Sequence, residues 1–164
     1  MSDLSQLSFS SSRPLTLGVE LALAADVVVA ADSTRFAQLE VARGIMAFGG
    51  ATIRLPRLGW GDAMRWLLTG DFFDAAEALR IGLVQQVVPH GEQVDAAIAI
   101  AERIAAQAPL AVQATLANAR LALHDPQAAA DRLRRLVAML AGTQDAQSAM
   151  TAFLSGRPID FEGR

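Results

Sequence analysis

The sequence predicts a helix-rich α/β fold, and three observations predict it. Residues 27–30 (VVVA) are the β-branched run of a buried strand. Between residues 18 and 88, glycines and an acidic cap punctuate short elements. From Gly91 to Gly156 apolar residues recur at helical spacing, with prolines where helices begin.

Taken in order, residues 1–14 read as a serine-rich, disordered tail. Good helix formers follow Gly18 as far as Ala25, and Asp26 breaks to the strand Val27–Ala30. Arg35–Gln38 reads as a second short strand. Gly44, Gly49 and Gly50 mark a loop before a helix through Thr52–Leu55. Gly61–Thr69 is a helix with Met64, Leu67 and Leu68 on one face, stopped by Gly70. Asp74 caps a helix over Ala75–Ile81 with Glu77 three residues on, an Asp variant of the capping box. Leu83–Val88 is a strand closed by Pro89. Four helices then follow. Val94, Ile98, Ala101, Ile104 and Ala105 share a face of the first, and Pro109 opens the second, to about His124. Asp125-Pro126 opens the third, with Leu133, Leu136, Val137 and Leu140 expected on its buried side. The fourth spans Asp145–Leu154.

Composition narrows the function. All 14 basic residues are Arg, so a lysine Schiff base and a Walker lysine are excluded. No cysteine is present, which removes thiol nucleophiles and thiolate metal sites. A net charge of −3 without a basic run argues against a nucleic-acid surface. The longest uncharged stretch, Ile104–Ala119, is too short and too often interrupted to span a membrane. The tail lacks the early positive charge and apolar block of an export signal, so the expected location is cytoplasmic.

Two acids stand among apolar neighbours. Glu20 lies in LGVELALAA and Glu40 in FAQLEV. Each is either a solvated acid at an element end, the default for a carboxylate, or a buried active-site group. As a pair they suit acid–base work, one holding a water while the other moves a proton. Gly49-Gly50 before a helix either offers N–H groups to an anion or makes a tight turn. His90 and His124 read as surface residues, and Trp60 and Trp66 as core or helix-docking residues. Arg132, Arg134 and Arg135 form a solvated helix face.

Several stretches together resemble the crotonase, or enoyl-CoA hydratase/isomerase, superfamily. LGVELALAAD (17–26) is similar to its GGGxELALACD segment, and RFAQLEVARG (35–44) to RFGxPExxxG. GGATIRLPR (49–57) resembles GGTQRLPR. LTG (68–70) with AAEALRIGLV (75–84) matches LLTGxxxxAxEALxxGLV, and the ending resembles a terminal helix and RPxxFxGR tail. The resemblance implies the C-terminal part of a crotonase-like ββα spiral over residues 15–90, holding the glutamate pair, and a helical assembly region over 91–164. It departs from the pattern where GGG becomes Thr16-Leu17-Gly18, and where Ala47-Phe48 replaces a Pro-Gly.

What the resemblance implies about function is an enoyl-CoA hydratase-type lyase. Glu20 and Glu40 are the catalytic pair, at the twenty-residue separation that hydratases show. The Leu17 N–H would hold the thioester oxygen, with Gly18 beside it in the substrate site. No metal and no separate cofactor are expected, CoA being part of the acyl-CoA thioester substrate. The chain reads as truncated, the family's strand-rich N-terminal half being missing, and its activity alone is left open. The alternatives are a non-catalytic oligomerisation or interaction module, or another reaction of the family such as enoyl-CoA isomerisation. A homo-oligomer, trimer or hexamer, is expected, with no nucleic-acid or membrane partner.

Overall fold

The apolar run at residues 27–30 becomes the middle strand of a parallel sheet. The structure is a computed structural model that describes residues 6–9, 16–156 and 158–164. Strand β1 (Gln6–Phe9) and strand β5 (Gln86–Val88) flank β2 (Val27–Ala31), both parallel to it. A parallel strand covered on both faces needs apolar residues at successive positions, which explains VVVA. Val28 and Ala30 enter the main core, while Val29 packs with Val88 and Ala97 on the other face. Apart from β1, the tail expected over residues 1–14 lies outside the described residues.

Between β2 and β5 the chain builds the main core from short elements. Helix α1 (Leu17–Ala22) ends three residues before the expected stop, because Ala24 and Ala25 tighten to i→i+3 bonds. Strand β3 is only Arg35–Phe36. It pairs antiparallel with β4 (Phe73–Asp74) in the registers Arg35 opposite Asp74 and Phe36 opposite Phe73. After it come helices α2 (Ala51–Arg54) and α3 (Trp60–Thr69). The Phe73 ring stacks on Phe36 at 5.5 Å and on Trp66 of α3 at 4.6 Å. This aromatic stack anchors the segment that leads from Phe36 to Glu40. Asp74 caps α4 (Ala75–Arg80) by accepting the Glu77 N–H at 2.9 Å. The second half of the box does not form, because Glu77 pairs with Arg80 at 2.6 Å instead.

Compact-unit division falls after Ala101. The first unit keeps the opening turns of α5 (Gln93–Ala105), where Ala97, with Ala96 and Ile100, packs on Val29 and Val88. Of the residues that share the apolar face read from the spacing, Val94 and Ile98 are 43% and 49% exposed. A small Ala97 lets the helix approach the sheet closely, so the bulkier aliphatics point elsewhere. Trp66 is buried as expected, but Trp60 is 71% exposed at the first position of α3.

The second unit, Glu102–Arg164, holds helices α6 (Pro109–Ala122), α7 (Pro126–Ala141) and α8 (Gln144–Ser155). Asp125 caps α7 through the Ala128 N–H at 2.8 Å. Thr143 caps α8 through the Ala146 N–H at 3.1 Å. The chain end folds back on α8: the Asp145 carboxylate accepts the Glu162 N–H at 2.9 Å and the Gly163 N–H at 2.8 Å. The expected buried side of α7 is corrected. Leu133 and Val137 are exposed, while Leu136 and Leu140 are half-buried. The α6–α7 pair covers one side of α7 and leaves its other apolar side open.

Candidate functional site

Three segments converge in the first unit. Thr16, at the N-cap of α1, donates its N–H to Ala37 O at 2.9 Å, and so ties the start of α1 to the extended segment after β3. Thr16 adopts φ 56° and ψ −98°, and is the one non-glycine residue with positive φ among those described. For a β-branched residue this is a strained conformation, and the matching family motif has glycine there. As at any helix start, the first N–H groups of α1 have no intrahelical partner, and those of Leu17 and Gly18 make no hydrogen bond among the described residues. Leu17 is 62% exposed and Gly18 half-buried.

Glu20 is buried, against the default expectation for an acid in an amphipathic turn. Its Oε1 accepts the Gly49 N–H at 2.7 Å and the Ala51 N–H at 3.4 Å. These N–H groups answer the question left by Gly49-Gly50. The anion they hold is a carboxylate of this chain. A Cβ on Gly49 would overlap Glu20 Oε2 and lie 2.6 Å from its Cδ, so only glycine admits the carboxylate this close. The φ of Gly49 is not positive, so close approach rather than turn geometry demands glycine. On the loop's far side, Arg54 donates to Gly49 O at 3.2 Å. The loop is thereby gripped by Glu20 through its N–H and by Arg54 through its carbonyl.

Glu40 is also buried, at 2% exposure, and neither carboxylate oxygen finds a hydrogen-bond partner. Gln38, two residues earlier, is 1% exposed, and neither its amide oxygen nor its nitrogen is partnered. Buried polar groups are nearly always paired, since each unmet one costs about 1–3 kcal/mol. Two such side chains on one short segment make this the candidate site. Both line a cavity of about 200 Å³ whose other walls include Met46 and Ala47 from the loop and Trp60, Met64 and Leu67 of α3. Glu20 does not line this cavity. The segment 46–52 joins the two acids: Met46, Ala47 and Thr52 border the Glu40 cavity, while Gly49 and Ala51 hold Glu20.

Gln38 is the residue that sequence reasoning missed. The available signal was the spacing Phe36, Gln38, Glu40: an extended chain turns alternate residues the same way, and Phe36 is an obvious core residue. His90 and His124 are exposed, as expected. Among the described residues no group of three His, Asp or Glu side chains is placed to hold a metal ion.

Comparison with known proteins decides the family. The model of the family described as enoyl-CoA hydratase/isomerase matches residues 15–164. The chain belongs to this family. A 2,3-dehydroadipyl-CoA hydratase of Escherichia coli (strain K12) is 38% identical over 156 residues, covering 92% of this chain and 60% of the relative. A crotonyl-CoA hydratase of Syntrophomonas wolfei is 41% identical over 149 residues, covering 88% and 56%. A crystal structure of a probable enoyl-CoA hydratase/isomerase from Mycobacterium abscessus superposes with a TM-score of 0.89 at 60% identity, covering 93% of this chain and 60% of that one. The chain thus spans about 60% of the length of these members of the enoyl-CoA hydratase/isomerase family. The fold is that of the C-terminal part of a crotonase, as the sequence implied. In this member of the family, the spacing expected for a glutamate pair corresponds to two buried carboxylates in opposite states. Glu20 is anchored by backbone N–H groups, and Glu40 is left without a partner.

Proposed function

We propose that this chain carries the catalytic glutamates of an enoyl-CoA hydratase, which adds water across the double bond of a 2-enoyl-CoA thioester. The observation that carries the reading is Glu40: a buried carboxylate without a partner, in an otherwise largely apolar cavity. A protein retains such a group where a reacting molecule completes it.

In the proposed reaction the water oxygen bonds to C3 of the enoyl group and a proton is added at C2. Charge gathers on the thioester oxygen between these events. A free backbone N–H there lowers the barrier, because it meets charge that develops only in the transition state. The Leu17 N–H is the proposed donor, with Gly18 next to it in the substrate site. Glu20 orients the attacking water: its Oε1 is committed to Gly49 and Ala51, which fixes the carboxylate and leaves Oε2 for the water. Glu40 handles the proton at C2, and the proton that the water gives up returns to the carboxylate pair. The CoA thioester is the substrate and no resident cofactor is proposed. The proposed location is the cytoplasm; no helix among the described residues is long and apolar enough to cross a membrane.

The test is spectrophotometric loss of the conjugated thioester of crotonyl-CoA. The proposal expects turnover that scales with protein concentration. A pure chain that turns over no crotonyl-CoA at any concentration contradicts it.

A second reading rests on a separate observation. In the second unit Leu133, Val137, Met150, Phe153 and Leu154 are each more than half exposed. Apolar faces of this extent mark an interaction surface. We propose that they make the chain a homo-oligomer, a trimer or hexamer. In a non-catalytic module this surface would remain and the two glutamates would be dispensable.

A further inference from the structure

The cavity beside Glu40 has a size and a polarity that say which acyl groups fit. It encloses about 200 Å³. At about 30 Å³ for a water-sized group, a volume close to that of a methylene, it takes about six or seven such groups. Gln38 and Glu40 supply its strongly polar lining, and Val41, Pro56, Met64, Leu67 and Leu68 supply apolar surface. Thr52 and Trp60 are its other polar-capable side chains, and both are neutral. Among the described residues no Arg or His lines it, the chain has no Lys, and the one charged lining group is an acid.

We infer that this cavity selects a short, uncharged acyl chain of about four to six carbons, and rejects one of that length ending in a carboxylate. The inference rests on the hydratase reading for the thioester, and adds the substrate class to it. With the reacting carbons beside Glu40, the tail of a short enoyl group lies against Met64 and Leu67. Each methylene moved there from water is favourable, about fourfold in affinity at ~0.8 kcal/mol per group. A terminal carboxylate of a six-carbon chain would be placed in the same space. It would lose its water, find no cation, and meet the negative charge of Glu40. An acyl chain longer than the cavity passes the rim at Met46, Trp60 and Leu68, which are 63%, 71% and 68% exposed, and gains little more.

Binding of saturated, unreactive acyl-CoA thioesters tests this without any turnover. Titration calorimetry with butyryl-, hexanoyl-, octanoyl- and decanoyl-CoA should show affinity rising about fifteenfold from four to six carbons. It should level off thereafter. Adipyl-CoA should bind on the order of a hundredfold more weakly than hexanoyl-CoA, the contribution of three to four buried methylenes. Leu68 is exposed on the rim, so L68R leaves the core untouched and places a cation at the cavity. It should bring adipyl-CoA to within about tenfold of hexanoyl-CoA, and the narrowing variant L68W should weaken hexanoyl-CoA selectively over acetyl-CoA. Equal binding of adipyl- and hexanoyl-CoA overturns the polarity assignment. Affinity that keeps rising to ten carbons overturns the length assignment. If no acyl-CoA binds better than CoA itself, the cavity is not the acyl site. Crotonyl-CoA turnover by the same preparation then reports separately on the hydratase reading.

Discussion

Replacing Gly49 by Ala adds one methyl group where the structure has no room for it. The backbone accepts alanine, because Gly49 is not at positive φ. The obstacle is the Glu20 carboxylate: the new Cβ overlaps Oε2 and stands 2.6 Å from Cδ and 3.1 Å from Oε1. Ordinary carbon contacts need 3.5–4.0 Å, so the carboxylate must move by about 1 Å or more. That movement breaks or bends the 2.7 Å bond from the Gly49 N–H. A hydrogen bond to a charged group contributes about 1.5–3 kcal/mol, and overpacking costs about 1–3 kcal/mol where the core cannot yield. The carboxylate is the end of a flexible side chain, so part of the second term relaxes, and the expected loss of stability is about 2 kcal/mol. Activity should suffer more. A catalytic group displaced by about 1 Å costs on the order of 10²-fold in kcat. Thermal denaturation and crotonyl-CoA hydration measure the two effects. The control is the same substitution in a Glu20→Ala background, where the three nearest atoms that the added methyl meets are gone and it should cost little further. Gly49→Ala with parent-like stability and kcat would refute the reasoning, as would an equal cost in both backgrounds.

Three further predictions follow from the same geometry. Thr16→Gly should stabilise the chain by about 1 kcal/mol, the relieved φ strain less the added chain entropy, and raise Tm by about 2–4 °C in calorimetry. An unchanged or lower Tm argues that Thr16 is unstrained. Arg80, hydrogen-bonded to Glu77, holds that carboxyl below its ordinary pKa. A depressed folded-state pKa contributes stability above the unfolded value and loses it as pH falls through the folded value. Glu77→Gln should therefore lower Tm slightly at pH 7, with a difference that shrinks as the solution is acidified below the usual carboxylate range; a difference that grows in acid contradicts this. In the second unit, Val137→Glu with Phe153→Glu should reduce the mass seen by light scattering at tens of micromolar, and a parent already monomeric there contradicts the association proposal.

Much of the fold was legible because local chemistry and tertiary packing agree. VVVA at 27–30 could satisfy only a strand covered on both faces. Asp74, Asp125 and the prolines at 109 and 126 start helices for reasons contained within three residues of sequence. Which apolar face packs was less legible, and on α7 Leu133 and Val137 are exposed where burial was expected. On α5 a small alanine approaches the sheet and the larger Val94 and Ile98 do not, an outcome set by the distance between helix and sheet and not by hydropathy. Trp60 looked like core and stands exposed on a cavity rim.

At the site, the glutamates were found by motif resemblance and their states were not. The neighbours of Glu20 in sequence are apolar, yet its partners are N–H groups 29 and 31 residues away. No local pattern announces them. Gln38 was passed over because a lone glutamine reads as solvated. Its burial follows from the Phe36–Phe73–Trp66 stack and the Thr16–Ala37 hydrogen bond, both long-range.

The central claim is that Glu20 and Glu40 act together on one water and one enoyl thioester. A double-mutant cycle on crotonyl-CoA hydration tests it most directly, with Glu20→Gln, Glu40→Gln and the double variant. The account predicts that each single change lowers kcat on the order of 10²-fold or more, since a positioned acid or base contributes that much. It predicts little change in KM, because neither carboxylate grips the CoA. The double variant should be scarcely slower than the worse single one, as expected of groups that work as a unit. Singles that hydrate crotonyl-CoA like the parent, or losses that multiply in the double variant, would contradict it.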